Sequence, residues 1–298
     1  MLKAFPPGYE PRSARLEYRP PYDWDSLLGH LERRAIDDVE TVIDGVYRRS
    51  FVEHGRWGAV EIARATRGNA LKVTVHSLDE RAFDAIVPRV ARVFDLAADP
   101  TVLGGRFSRD PLLAPMIIAR PGLRIPGGWD GFETAVRTIL GQQVTLEAGR
   151  RLTGQLVRLC GERSAHESPV FPDATSVAAA DLSKLGMPET RKKTLVAMAK
   201  AALDDPGLFR STGSLEGTIA KLRAIRGVGE WTAHYIALRA IREADAFPAG
   251  DIGLLRGATL AGKRRVTEPE LLALAERWRP WRAYAAQHLW AADAASAR

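Results

Sequence analysis

The 298-residue chain holds a single cysteine, Cys160. An internal disulfide is therefore impossible, and so is a cysteine-ligated zinc site or iron–sulfur cluster. Histidine is scarce as well. The six are scattered, and none joins Asp or Glu at a spacing that reads as a metal-ligand set. No apolar run is long enough to span a bilayer, and Pro6, Pro7 and Gly8 break the opening stretch where a signal peptide would lie. The expectation is a cytoplasmic protein with no membrane contact. Regular repeats and low-complexity tracts are also missing.

What is present is an ordinary globular composition, 46% hydrophobic and 27% charged, in a chain long enough for two or three domains. The formal net charge of +7 favours an acidic partner over a neutral one.

Patterning divides the chain. Residues 1–14 are rich in Pro and Arg and read as a loose tail. Helical spacing follows over Asp25–Arg34, then strand-like runs over Thr41–Phe51, Trp57–Ala65 and Ala70–His76. In the last run Leu71, Val73 and Val75 alternate with Lys72, Thr74 and His76. Asp79 is placed to cap a helix whose Phe83, Ile86, Val87, Val90 and Phe94 form one stripe. Strands followed by a covering helix predict a small α+β domain. After Pro100 the character changes: four prolines punctuate a connection ending at Gly127-Gly128. Beyond it helices are predicted at Gly131–Gln143, Leu146–Leu159, Val177–Leu185, Glu189–Leu203, Leu215–Ala224, Glu230–Ala240, Glu268–Trp278 and Pro280–Ala294. Their short Gly/Pro connectors fit an all-α bundle.

The densest signal is Leu222-Arg-Ala-Ile-Arg-Gly-Val-Gly-Glu-Trp-Thr-Ala-His-Tyr235, followed by Pro248-Ala-Gly-Asp251. A helix end, a Gly227-x-Gly229 turn and a fresh helix make a hairpin whose amides suit a phosphate group. One carboxylate then stands just past a Pro/Gly corner. Asp251 reads either as a helix N-cap, which Asp often fills, or as an acid beside a bound strand.

Hairpin and Pro-Ala-Gly-Asp together resemble the helix-hairpin-helix/Gly-Pro-Asp superfamily of DNA glycosylases, and within it the bacterial DNA-3-methyladenine glycosylase II group. Further blocks carry the likeness in family order: Pro20-Pro-Tyr-Asp-Trp24, Val39-Glu-Thr-Val42, Ala119-Arg-Pro-Gly-Leu-Arg-Ile-Pro126, Ile139-Leu-Gly-Gln-Gln-Val144, Gly186-Met-Pro188, Trp231-Thr-Ala233 and Arg277-Trp-Arg-Pro-Trp-Arg-Ala-Tyr284. The resemblance implies an α+β N-terminal domain followed by all-α helix-hairpin-helix glycosylase domains. Their expected extents are 1–106, then 131–243 carrying the hairpin, then 107–130 plus 244–298 completing the cleft.

It also implies roles. Asp251 would stabilise positive charge on the sugar as an N-glycosidic bond breaks. Relatives that nick the strand carry a nucleophilic lysine at the Trp231 slot; indole has no amine, so a monofunctional enzyme is expected. Trp231, Tyr235 and Leu238 share one helix face. Trp231 and Tyr235 are expected to wall a base pocket and Leu238 to pack in the core. Trp281 and Trp290 fall on opposite faces of one predicted helix, with Trp290 assigned to the pocket and Trp281 to packing. Two positions depart from the family pattern: Ile252 stands where an aromatic is expected, and His30 where Phe occurs.

Gly227 and Gly229 would anchor the DNA backbone. Gln143 is either a polar helix end or the wedge that fills the gap left by an extruded nucleotide. Arg191, Lys192 and Lys193, with Lys200, form either a solvated face or phosphate contacts; Lys263-Arg264-Arg265 is a similar loop run. The main-chain carbonyls of Arg223, Ile225 and Val228 would form a site for a monovalent cation, Na or K, with no cofactor required. The expected partner is double-stranded DNA containing alkylated bases, met by a monomer. The expected activity is hydrolytic release of alkylated purines without strand cleavage. A glycosylase for deaminated or oxidised bases, and a non-catalytic structure-specific DNA-binding protein, remain open beside it.

Overall fold

The computed structural model describes residues 9–160, 169–262 and 264–296. The N-terminal part is a five-stranded antiparallel sheet in the order β1-β5-β4-β3-β2, formed by β1 (Arg12–Glu17), β2 (Glu40–Ile43), β3 (Val46–Glu53), β4 (Arg56–Arg64) and β5 (Ala70–Ser77). Alternation decides its faces. Tyr47 and Phe51 of β3, Val60 and Ile62 of β4, and Leu71, Val73 and Val75 of β5 are buried in one cluster. Helices α1 (Trp24–Glu32) and α2 (Arg81–Val93) supply Trp24, Leu27, Ile86 and Val90 to it.

The structure corrects the sequence reading at several points. Arg12–Ala14, read as part of a tail, pair with Val75–Val73 of β5 as an edge strand; the rest of that tail, residues 1–8, lies outside the described residues. The run Thr41–Phe51 is two strands, because Asp44 (φ +52) and Gly45 (φ +73) form a two-residue hairpin turn between β2 and β3. Helix α2 begins one residue after Glu80, although the Asp79 carboxylate still accepts the Arg81 N–H at 3.1 Å.

The connection after Pro100 contains two short helices, α3 (Pro100–Phe107) and α4 (Ala114–Ala119). The remainder is α5 (Gly131–Leu140), α6 (Leu146–Cys160), α7 (Ala174–Ala179), α8 (Glu189–Asp204), α9 (Leu215–Arg223), α10 (Glu230–Ile236), α11 (Ile252–Gly262), α12 (Glu268–Ala275) and α13 (Arg282–Ser296). Val177–Leu185 is thus broken after α7, resuming as a 3-10 turn over Leu182–Lys184. Glu230–Ala240 changes to a π-helical turn over Ala237–Ile241, a wide-turn geometry that often marks functional sites. Helix α11 is not among the helices read from spacing, and only the N-cap reading of Asp251 implies a helix there. One continuous apolar core runs from Leu103 and Phe107 to Ala285 and Leu289.

A buried ionic network locks sheet to helices. Arg49 sits on the inner face of β3 between Glu40 at 3.1 Å and Glu133 of α5 at 3.1 Å, and Arg137 reaches Glu40 at 3.0 Å and Glu133 at 2.9 Å. Burial alone would raise the pKa of Glu40; the Arg137 and Arg49 guanidiniums outweigh it and hold the carboxyl below its ordinary value. Backbone ties add to this: Gly127 donates to Val93 and Gly128 to Arg239, each at 2.8 Å.

Candidate active site

Helices α9 and α10 meet at the glycine hairpin. Gly227 takes φ +86, and a Cβ there would stand 1.9 Å from Thr194 Oγ1 of α8. Only glycine fits both the conformation and the space. Gly229 precedes α10, and no side chain caps that helix, so its first N–H groups stay open to an outside acceptor. Arg223 spans the hairpin to Glu230 at 2.8 Å.

Two turns along, Asp251 sits ahead of α11. Its Oδ1 accepts from the N–H groups of Gly253 (2.9 Å) and Leu254 (3.2 Å) and from the Trp290 indole (2.9 Å). Oδ2 accepts from the Trp231 indole at 2.9 Å. One oxygen caps α11, as the first reading of this residue has it, and the same carboxylate lines the cleft. Gly257 makes the arrangement possible, since a Cβ there would lie 2.2 Å from the Leu289 carbonyl oxygen and force α11 off α13, away from Trp290.

Aromatic rings surround the acid. Trp231 and Tyr235 stack at 5.4 Å with planes 25° apart, and Tyr235 meets Trp290 edge-on at 5.9 Å. Leu238 is in the core, as expected. Trp281 lies before α13 rather than on it, with its ring edge-on to Tyr284 at 6.0 Å. The opposite-face argument for the two tryptophans rested on a helix that starts too early, yet Trp281 does pack and Trp290 does face the cleft.

The cleft holds about 840 Å³ and is lined by Trp231, Tyr235, Trp290, Asp251, Ile252 and His30 among others. None of its described lining residues is lysine. Sequence reasoning missed Arg239, whose guanidinium lies 4.8 Å from the Trp290 ring and 5.5 Å from the Tyr235 ring. Arg239 is buried and anchored to the Pro126 carbonyl at 3.0 Å, without a carboxylate partner among the described residues. Burial would raise the Tyr235 phenol, but Arg239 and Arg34 outweigh it and bring it below its usual value. His30 is held well below the ordinary imidazole range by burial and by Arg34, Arg239, Arg33 and Arg137. Ile252 is exposed at the mouth.

Gln143 ends the α5 corner, exposed and left-handed at φ +55. Its neighbour Gln142 donates to Thr232 of α10 at 2.8 Å, which pins that corner to the hairpin. Lys192 turns back to the Ser183 carbonyl at 2.9 Å, Arg191 is half-buried and Lys193 is exposed. In the loop run, Lys263 lies outside the described residues and Arg264 pairs with Glu270 at 2.9 Å. No group of His, Cys, Asp and Glu able to hold a metal ion occurs among the described residues, and no described helix is long and apolar enough to cross a membrane.

Comparison with known proteins agrees with this geometry. Residues 13–130 match the AlkA N-terminal domain, and residues 136–283 match the family described as HhH-GPD superfamily base excision DNA repair protein. The chain is 36% identical over 283 residues to DNA-3-methyladenine glycosylase 2 of Escherichia coli strain K12, covering 92% of this chain and 95% of that one. It belongs to the HhH-GPD superfamily. DNA-3-methyladenine glycosylase of Bacillus subtilis strain 168 is 30% identical over 219 residues, 70% of this chain and 72% of that one. Among solved structures, 3-methyladenine DNA-glycosylase from Archaeoglobus fulgidus superposes with a TM-score of 0.80 at 20% identity, covering 94% of this chain and 98% of that one. The 8-oxoguanine glycosylase/lyase of Clostridium acetobutylicum, bound to double-stranded DNA, gives 0.66 at 17% identity over 87% of this chain and 99% of that one. These likenesses place the α+β domain and the helical hairpin domain in one known glycosylase fold.

Proposed function

We propose that this chain hydrolyses the bond between an alkylated purine and deoxyribose in double-stranded DNA, leaving an abasic site in an intact strand. The observation that carries the reading is the Asp251 carboxylate, gripped by two indole N–H groups inside an aromatic cleft. A flipped purine stacks on such rings. The base departs with the electron pair of the glycosidic bond, and positive charge builds on the sugar facing Asp251. Water adds its oxygen to that carbon and gives its proton to Asp251 or to solvent. A base already cationic from alkylation leaves neutral, so no second acid is needed. With no lysine among the described residues that line the cleft, attack by an amine and strand cleavage have no agent there.

Gly227 and Gly229 present main-chain N–H groups to a phosphate, Lys193 and Arg191 flank it, and Gln143 serves as the wedge. The carbonyls of Arg223, Ile225 and Val228 are neutral, hard donors suited to Na or K; Val228 N–H occupies one lone pair of the Ile225 oxygen at 3.0 Å and leaves the other. Such an ion supplies positive charge beside the phosphate. The protein acts as a monomer on this reading.

The test is release of 3-methyladenine and 7-methylguanine from methylated DNA by the wild type and by Asp251→Asn, with and without alkali. Release abolished by the substitution, and strand breaks only after alkali, are the expected results. Undiminished release by Asp251→Asn would overturn the mechanism, and no release by either protein would leave a DNA-binding role. A second reading has its own observation: Arg239, a buried cation behind the pocket rings, opposes a further positive charge there. It favours neutral deaminated or oxidised bases, which a panel of lesion-bearing oligonucleotides would reveal.

A further inference from the structure

His234 stands one residue from the pocket tyrosine, on a different face of α10, and touches neither base nor sugar on the reading above. Its two ring nitrogens nevertheless have distinct partners. Nδ1 lies 3.1 Å from the backbone nitrogen of Phe247, which can only donate. Nδ1 is therefore the acceptor, and the ring proton sits on Nε2, 3.2 Å from the Glu230 carboxylate. Glu230 in turn pairs with Arg223 across the glycine hairpin at 2.8 Å. A chain of one ion pair and two hydrogen bonds thus runs from α9, through the first residue of α10, to the segment that ends in Asp251.

That segment is stiff. The Phe247 ring is buried edge-on against Trp278 at 5.9 Å. Ala249 N–H returns to the Phe247 carbonyl at 3.0 Å, and Asp251 N–H to the Pro248 carbonyl at 2.9 Å. Two consecutive tight turns leave little slack, so a displacement at Phe247 reaches Asp251 directly. Burial and Arg282 lower the imidazole pKa against the opposing pull of Glu230 and Asp245, the same direction in which the acceptor role of Nδ1 points.

We propose that His234 is a positioning residue that couples the DNA-gripping hairpin to the loop carrying Asp251, by accepting the Phe247 N–H and donating to Glu230. The proposal rests on the reading of Asp251 as the acid at the sugar. When a phosphate settles at the hairpin, the strand and the carboxylate are registered to one another through this ring rather than through the apolar core alone.

The experiment compares wild type with His234→Asn, His234→Gln and His234→Leu in single-turnover release of 3-methyladenine from methylated duplex DNA, alongside binding to a duplex with a stable abasic-site analogue. Asn can place an acceptor where Nδ1 lies, whereas Gln carries its polar atoms out to the Nε2 position. The expected result is a loss of about tenfold or more in the cleavage rate for Leu and Gln, with Asn recovering most of it and binding changed by no more than about twofold. Equal rates for Leu and wild type, or for Asn and Gln, would overturn the proposal, as would a loss confined to binding. If Leu fails to fold, the Asn and Gln pair, close in size and both polar, decides the matter. Wild-type release with no effect of His234 would sink this inference alone; no wild-type release would sink the reading of Asp251.

Discussion

Trp231 and Trp290 donate their indole N–H groups to different oxygens of one carboxylate, each at 2.9 Å. The same two rings also face the cleft, so each tryptophan both shapes the pocket and aims the acid. Trp290→Phe separates the two roles, because it keeps a ring and removes the donor. Losing one charge-assisted hydrogen bond costs about 1.5–3 kcal/mol, or roughly a tenfold to hundredfold drop in single-turnover rate. Affinity for an abasic-site duplex should barely change. Trp290→Ala should lose more, since the ring goes as well.

Gly227→Ala tests the hairpin. The added methyl meets a residue at φ +86 and the Thr194 hydroxyl at 1.9 Å. Backbone strain alone is about 1–3 kcal/mol, before any clash. A lower urea midpoint and weaker DNA binding in fluorescence anisotropy are expected together. Adding Thr194→Ala should recover part of the stability, because it removes the closest atom but leaves the strained φ.

Much of this site was legible before any coordinates. The glycine spacing of the hairpin, the acid after a Pro/Gly corner, and the face shared by Trp231 and Tyr235 are local patterns, and local patterns survive folding. Arg239 was not legible as a buried cation: four residues beyond Tyr235 it shares that helix face, but its burial depends on the Pro126 carbonyl, 113 residues away in sequence. His234 was equally silent: its partner Phe247 is thirteen residues away, in the loop ahead of α11. The β2–β3 break did have a signal, since Asp44-Gly45 is a preferred two-residue hairpin pair inside an otherwise strand-like run. Strand β1 lacked one, being polar and mostly exposed at a sheet edge. Helix α11 was hidden by its glycines, one of which is the close contact with α13.

The ionic network beneath the cleft predicts a large stability effect with an indirect effect on activity. Arg49→Leu leaves Glu40 and Glu133 buried beside Arg137 alone, and breaking a buried ion pair from one side costs about 3–5 kcal/mol. Urea unfolding should show that loss. Glu40→Gln in the same background should restore part of it by removing the one excess negative charge; a strictly additive double variant would show that the groups do not act together.

Stability should also fall in acid through His288. This side chain on α13 is buried, its Nδ1 has no partner among the described residues, and burial with help from Arg120 lowers its pKa from 6.5 to about 4. Above pH 6.5 both folded and unfolded chains carry the neutral ring, and pH has no leverage here. As pH drops from 6.5 towards 4 the unfolded chain takes up a proton that the folded chain refuses, so stability declines; below the folded value the decline stops. Each pH unit of difference is worth about 1.4 kcal/mol, so the full descent approaches roughly 3 kcal/mol. His30, depressed in the same direction, adds to it. His288→Leu, which cannot be protonated in either state, should flatten melting temperature against pH across this window, and a slope identical to that of the wild type would show that the ring carries no linkage.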